Sequence, residues 1–191
     1  MTTENNVILL TWQIPVASKA PDAYRLLNEL GTTDAIDLHQ SALIERGDNG
    51  EFVLTDGDGN PVTVAGGPVR ELLDALDGPV AGAIEDPSIV PTSDRPGAYG
   101  PKDWKSLTEV TVRLKPGRAG VIAHATINSR EPVDHIVTDT GASVVRIHEH
   151  ELLREINAVA SAAEVVAEPE QHETLAERAH DLVDKLKNKL H

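Results

Sequence analysis

The chain has 191 residues, no cysteine, 3% aromatic residues and a formal net charge of −14. The lack of cysteine excludes disulfides, thiolate nucleophiles and cysteine-based zinc sites, and the acidic charge argues against nucleic acid and anionic lipid as partners. No basic segment with a signal-like apolar run is present near the start, and no stretch of roughly 18 apolar residues predicts an integral membrane segment. We therefore expect a cytoplasmic protein.

The chain begins with a predicted strand, helix and second strand. The apolar run Val7–Ile14 is typical of a strand buried on both faces. Ser18 is the expected cap of a helix whose apolar stripe ends at Leu30. Gly31 is expected to take the left-handed position that ends this helix, and Ile36–Glu45 is the next strand.

Turn residues then predict an antiparallel hairpin and a further helix. Asp48-Asn49-Gly50 joins Ile36–Glu45 to a strand at Glu51–Thr55. Asp56–Asn60 is a second turn, and Pro61–Val64 is a candidate edge strand. A helix begins at Gly66-Gly67-Pro68 with proline in its first turn. Its buried face is predicted to hold Val69, Leu72, Leu73 and Leu76.

The middle of the chain contains one ambiguous segment. A short apolar piece, Pro79–Ile84, is followed by Glu85–Pro101, whose prolines and glycines predict a loop or linker. Lys105–Leu114 fits both a helix and an alternating strand. We favour the helix, because Pro116-Gly117 then separates it from the obvious strand Ala119–Ile127.

This strand opens a second unit that has the same order as the first. Ser129 is expected to cap a helix that runs to Thr140, Gly141 ends it, and Ser143–His150 is the last strand. A long helix, Glu151–Ala167, follows. Residues 1–150 are therefore interpreted as one α+β domain and residues 151–191 as a helical extension.

The extension is predicted to end in a short coiled-coil seam. Pro169 separates its first helix from His172–Leu190, where apolar residues alternate at spacings of four and three. Acidic residues lie near the start of this second helix and lysines near its end, which complements the helix dipole. We expect this tail to dock on the body or on a protein partner.

The order of strand, helix, hairpin, helix and strand predicts a ferredoxin-like sandwich extended by a further helix and strand. Five segments carry a further resemblance: Val7–Ile14, Leu30-Gly31, Ala42–Leu54, Leu114–Ile122 and Gly141–Arg146. In these segments the chain resembles an uncharacterised bacterial family whose members are often described as predicted membrane proteins. The family has a long hydrophobic segment after the hairpin, which charged residues interrupt in Gly66–Ile84 of this chain. The family brings no known catalytic residues.

Four histidines are the best chemical candidates. In the predicted last strand, His148 and His150 lie on one face, His124 is on the related strand of the same unit, and His39 is on the first strand of the hairpin. Converging imidazoles would bind zinc, copper or nickel. The alternative is that they are partly exposed histidines of a sheet.

Other motifs give weaker signals. Asp56-x-Asp58-x-Asn60 imitates the start of a calcium loop, but the later positions do not fit, and ordinary turn chemistry explains it. Ser106, Ser129 and Ser143 lack the motif of a nucleophile elbow. Glu149 and Glu151 lie beside histidines and suit acid–base work, although charged residues at a strand end are usually solvated.

Three functions follow as expectations. The first is a non-enzymatic protein that forms a homo-oligomer and acts as a scaffold or regulator, since the sequence has no catalytic signature. The second is a transition-metal-binding protein that uses His39, His124, His148 and His150. The third, which the family resemblance implies, is a protein that associates peripherally with membranes.

Overall fold

The chain folds into a five-stranded antiparallel sheet with helices on both faces. This architecture is seen in a computed structural model that describes residues 4–12, 19–77 and 104–167 of the chain, with side chains up to residue 161. In chain order the elements are β1 Glu4–Thr11, α1 Ala20–Thr32, β2 Asp37–Arg46, β3 Phe52–Thr55, α2 Gly67–Asp77, α3 Lys105–Arg113, β4 Arg118–Ile127, α4 Glu131–Thr140, β5 Ser143–His148 and α5 Glu149–Ala167.

The strand order β3-β2-β4-β1-β5 interlocks the two units predicted from the sequence. The first unit is β1-α1-β2 and the second is β4-α4-β5. Strand β4 of the second unit lies between β1 and β2 of the first unit. Strand β1 of the first unit lies between β4 and β5 of the second. The pairing of β1 with β4 runs from Glu4↔Ile127 to Thr11↔Gly120 without a shift. The first strand of one unit is thus paired antiparallel with the first strand of the other.

Side chains alternate between two separate cores, as the pleat requires. In β1, Ile8 and Leu10 belong to the core under α1 and α4, whereas Val7 and Leu9 belong to the core under α2, α3 and α5. This explains why β1 reads as a continuous apolar run, since both of its faces are covered. The sheet is the middle layer of three.

Helix α5 contributes directly to the second core. Leu152 and Val159 are fully buried there, so the first helix of the expected extension packs on the sheet. Between them, Glu155 is only 5% exposed. Its carboxylate accepts hydrogen bonds from the backbone N–H groups of Ser106 and Leu107, both at 3.0 Å. Helix α5 thereby caps the N-terminus of α3, where no residue of α3 itself does so.

Several expectations are confirmed. Lys105–Arg113 is a helix, and its Leu107 and Val110 are fully buried at helical spacing. The hairpin turns at Gly50, which has φ of 89°. Gly141 ends α4 in the left-handed conformation, with φ of 69° and a hydrogen bond from its N–H to Val137 O. The predicted buried face of α2 also matches.

The predicted role of Gly31 is wrong. Helix α1 continues to Thr32, and Gly31 does not have a positive φ. A Cβ at Gly31 would lie 2.8 Å from the Cβ of Leu38, so glycine permits the close approach of α1 to β2. The left-handed residue after this helix is instead Asp34, with φ of 55°. The sequence pattern located the end of the helix but not the reason for the glycine.

Other local expectations need smaller corrections. Pro61–Val64 forms one isolated bridge, Thr55↔Pro61, rather than a strand. Asp56 organises a turn by accepting hydrogen bonds from the backbone of Asp58 and Asn60. The Ser129 hydroxyl accepts from the N–H of Glu131, although the capping position itself is Arg130. The predictions for Ile14, Ser18, Pro79–Ile84, Glu85–Pro101, Pro169 and His172–Leu190 lie outside the described residues.

Candidate functional site

A group of polar side chains lies at one end of the sheet, where β5 gives way to α5. Strand alternation places Asn5, His124 and Thr126 on the face that carries α2 and α5. In β2, the register with β4 shifts between Leu38 and Gln40, so His39 is the extra residue of a bulge. We call the following set the polar cluster: Asn5, His39, Gln40, His124, Thr126 and Glu149.

Hydrogen bonds connect this cluster in one chain. The Thr126 hydroxyl donates to Asn5 Oδ1 at 2.7 Å, so it accepts from His39, whose Nε2 lies 2.7 Å away. Asn5 Nδ2 donates to Glu149 Oε2 at 3.0 Å. The same oxygen lies 3.3 Å from His124 Nε2. These hydrogen bonds therefore assign the ring proton of His39 to Nε2.

The two histidines of the polar cluster are neighbours. The rings of His39 and His124 have centroids 4.7 Å apart and planes tilted by 46°. His124 Nε2 is buried without a well-aligned hydrogen bond, so its contact with Glu149 is electrostatic. Gln40 Oε1 is also buried without a hydrogen-bond partner, while its amide nitrogen donates to Gly66 O. These atoms are the unsatisfied polar groups of the cluster.

The other two candidate histidines form a second pair. The expectation that His148 and His150 share one face of a strand is wrong, because β5 ends at His148 and α5 begins at Glu149. Their rings nevertheless stack, with centroids 5.8 Å apart, and His148 Nδ1 lies 3.5 Å from the Glu4 carboxylate. This pair borders an open cleft lined by Glu4, Asn5, His148, Glu149, His150 and Leu153.

The four histidines thus form two pairs. Within the described parts of the chain, no group of three His, Cys, Asp or Glu side chains could hold a metal ion. The Glu149–His124 contact is the arrangement that suits proton transfer. However, the hydroxyl of the polar cluster, that of Thr126, donates to Asn5 rather than to Glu149 or His124. Asn5, His39, Thr126 and Glu149 of the polar cluster are thus hydrogen-bonded to one another.

Sequence reasoning did not identify Asn5, Gln40 and Thr126 as members of this cluster. Alternation along β4 puts His124 and Thr126 on one face, but the sequence does not show which strand lies beside β4. The bulge that turns His39 towards His124 leaves no pattern in the residues around it. Glu149 was a candidate because of its histidine neighbours, yet its contact is with His124 rather than with them.

The two edges of the sheet differ. At β3, the N–H of Val62 donates to Leu54 O at 3.0 Å, and Pro61 bridges Thr55, so part of this edge is occupied. At β5, the inner side pairs with β1 over six residues. No described segment of the chain pairs with its outer side. Among the described residues, the outer side of β5 is therefore the open edge.

Comparisons with known proteins do not add to these observations. No family model, no curated protein and no solved structure matches this chain. Among the described helices, none is long and apolar enough to cross a bilayer.

Proposed function

We propose that this chain is a non-enzymatic protein that self-associates and acts as a scaffold. The observation that supports the proposal is the outer edge of β5, a strand of six residues that pairs with β1 on its inner side and with no described segment on its outer side. Half of the backbone N–H and C=O groups of such a strand point outwards, and they form a template for another strand. An edge of this kind is a common route to symmetric association.

The covered faces of the sheet favour the same route. Face-to-face pairing of two sheets needs an apolar face without helices. Here one face carries α1 and α4, and the other carries α2, α3 and α5. In the described part of the chain, association through the sheet is left to its edges, and β3 is already bridged at Thr55.

The proposal includes a finer description of the fold. Strands β2, β4, β1 and β5, with α1 and α4 on one face, have the order and connections expected of a ferredoxin-like sandwich. In this interpretation β3, α2, α3 and α5 are additions that cover the second face. The resemblance to the bacterial family noted above is consistent with such a core and stays an expectation.

The test is the mass of the full chain in solution. Size-exclusion chromatography with light scattering, over a range of concentrations, is expected to give a defined oligomer rather than the single-chain mass of 20.5 kDa. Metal analysis and flotation with liposomes are run on the same preparation, because they test the two alternative functions. A single-chain mass up to the highest soluble concentration would refute self-association.

A further inference from the structure

We propose that two copies of this chain join through their β5 strands, antiparallel and edge to edge, about a two-fold axis that passes by Val145. The result is one continuous sheet of ten strands. This inference rests on the proposed self-association and adds to it the surface, the partner and the register. It is argued from the sequence of β5, from the internal repeat and from the charges on the strand.

The sequence of β5 lacks most of the features that block edge pairing. Natural edge strands are protected by proline, by charged side chains and above all lysine, by bulges, by short length or by a covering segment. Ser143–His148 contains no proline, glycine or lysine, and it pairs with β1 over six residues without a register shift. Its one cationic side chain, Arg146, is hydrogen-bonded to Asp134 of α4. The strand therefore presents a regular backbone to a partner.

The internal repeat shows that such an edge accepts an antiparallel strand. Strand β2 is the counterpart of β5, because each is the outer strand of its own unit. The outer side of β2 pairs antiparallel with β3 from Leu43↔Thr55 to Arg46↔Phe52. The corresponding position beside β5 has no occupant among the described residues. A second copy of β5 supplies an antiparallel strand by symmetry alone.

Symmetry and charge select the register. Opposite residues of an antiparallel pair point to the same face, so a two-fold axis perpendicular to the sheet must pass by a residue and not between two. Only Val145 and Arg146 lie at the middle of the strand and keep most of it paired. An axis at Arg146 would place two like charges directly opposite, which is unfavourable. An axis at Val145 places Arg146 opposite Val144 of the partner subunit.

The size of the contact predicts a dimer that dissociates on dilution. Six residues span about 20 Å. The edge is flanked by α4 through the Arg146–Asp134 bond and by α3 and α5 through contacts with β5. The three layers are on the order of 10 Å apart, so the end of the sandwich along β5 offers a contact surface of roughly 600 Å² per copy. This is somewhat below the ~800 Å² that each partner buries in a typical stable interface. Because each copy carries −14, added salt should strengthen the dimer.

Cysteine cross-linking tests the register, because the natural chain has no cysteine. Under mild oxidation of the full chain, Val145→Cys should form a covalent dimer by itself. Val144→Cys and Arg146→Cys should each stay uncross-linked alone and form a dimer when mixed. The pair of Val145 residues and the pair of Val144 with Arg146 of the partner subunit are adjacent in the antiparallel ladder. One of them is therefore a hydrogen-bonded pair and the other a non-hydrogen-bonded pair. One of them therefore has the closer spacing that suits a disulfide.

Val53→Cys is the matched control, since Val53 is 52% exposed on β3 at the opposite edge of the sheet. It should give no specific cross-link. A second measurement does not depend on oxidation: Val144→Lys should weaken the dimer at least tenfold relative to Val144→Glu, because only lysine repels Arg146 of the partner subunit. Two results would overturn this interface while self-association stands. The first is an oligomer in which Val53→Cys forms a specific cross-link. The second is an oligomer in which the β5 cysteine variants form no cross-link and Val144→Lys and Val144→Glu have equal effects. A monomer would refute both.

Discussion

The buried carboxylate of Glu155 is expected to be one of the most sensitive positions in the fold. Glu155→Ala removes the acceptor of the hydrogen bonds from the N–H groups of Ser106 and Leu107 and leaves these donors without a partner. Loss of a helix cap costs about 0.5–2 kcal/mol, and each buried donor left unsatisfied costs about 1–3 kcal/mol. Because water can reach the part-buried Ser106, we expect a loss of about 3 kcal/mol in the free energy of unfolding.

This loss is measured by urea denaturation, followed by circular dichroism and by tryptophan fluorescence, to which Trp12 and Trp104 both contribute; Trp104 is fully buried next to the capped turn. Glu155→Gln keeps the shape and one acceptor oxygen, so about 1–2 kcal/mol is expected. Glu151→Ala, on the same helix, is the control and should cost less than about 0.5 kcal/mol. If Glu155→Ala is no more costly than Glu151→Ala, the cap does not stabilise α3.

Three further predictions address single sites. Gly31→Ala and Gly141→Val should each cost about 1–3 kcal/mol. In a double-mutant cycle, Leu38→Gly, which removes the Cβ that the new side chain would meet, should reduce the cost of Gly31→Ala but not that of Gly141→Val, and relief at Gly141 would contradict its left-handed strain. Hydrogen bonds from Asn60 lower the pKa of Asp56 below its unfolded value of 3.8, so its carboxylate stabilises the fold above about pH 4 and loses this effect as pH falls through the lowered value. Asp56→Ala should therefore be more destabilising at neutral pH than in acid, and an equal loss at both would oppose the argument. Because no group of three suitable side chains lies within the described residues, calorimetry with zinc, copper and nickel should show no saturable site that depends on His148 and His150. Binding that is abolished in the His148→Ala, His150→Ala double variant would support a metal function instead.

The sequence was sufficient for most elements because their signals are local. The apolar run of β1, the turn at Gly50 and the stripe of α2 each depend on residues close together in the chain. Glu155 illustrates what could not be predicted: it caps a helix whose first residues lie far away in sequence, so this cap is not part of a local motif. The pairing of His39 with His124 likewise depends on which strands are neighbours and on a bulge, and neither is encoded in a local pattern.

The interlocked strand order has a consequence for how the chain folds as it is synthesised. The two partners of β1 in the sheet, β4 and β5, both belong to the second half of the chain. A nascent chain can form the β2–β3 hairpin early, because its strands are joined by a short turn. The apolar strand β1 has no partner until β4 leaves the ribosome. Pairing of such distant segments slows folding, so the unpaired N-terminal strand is the segment for which protection by a chaperone would matter most.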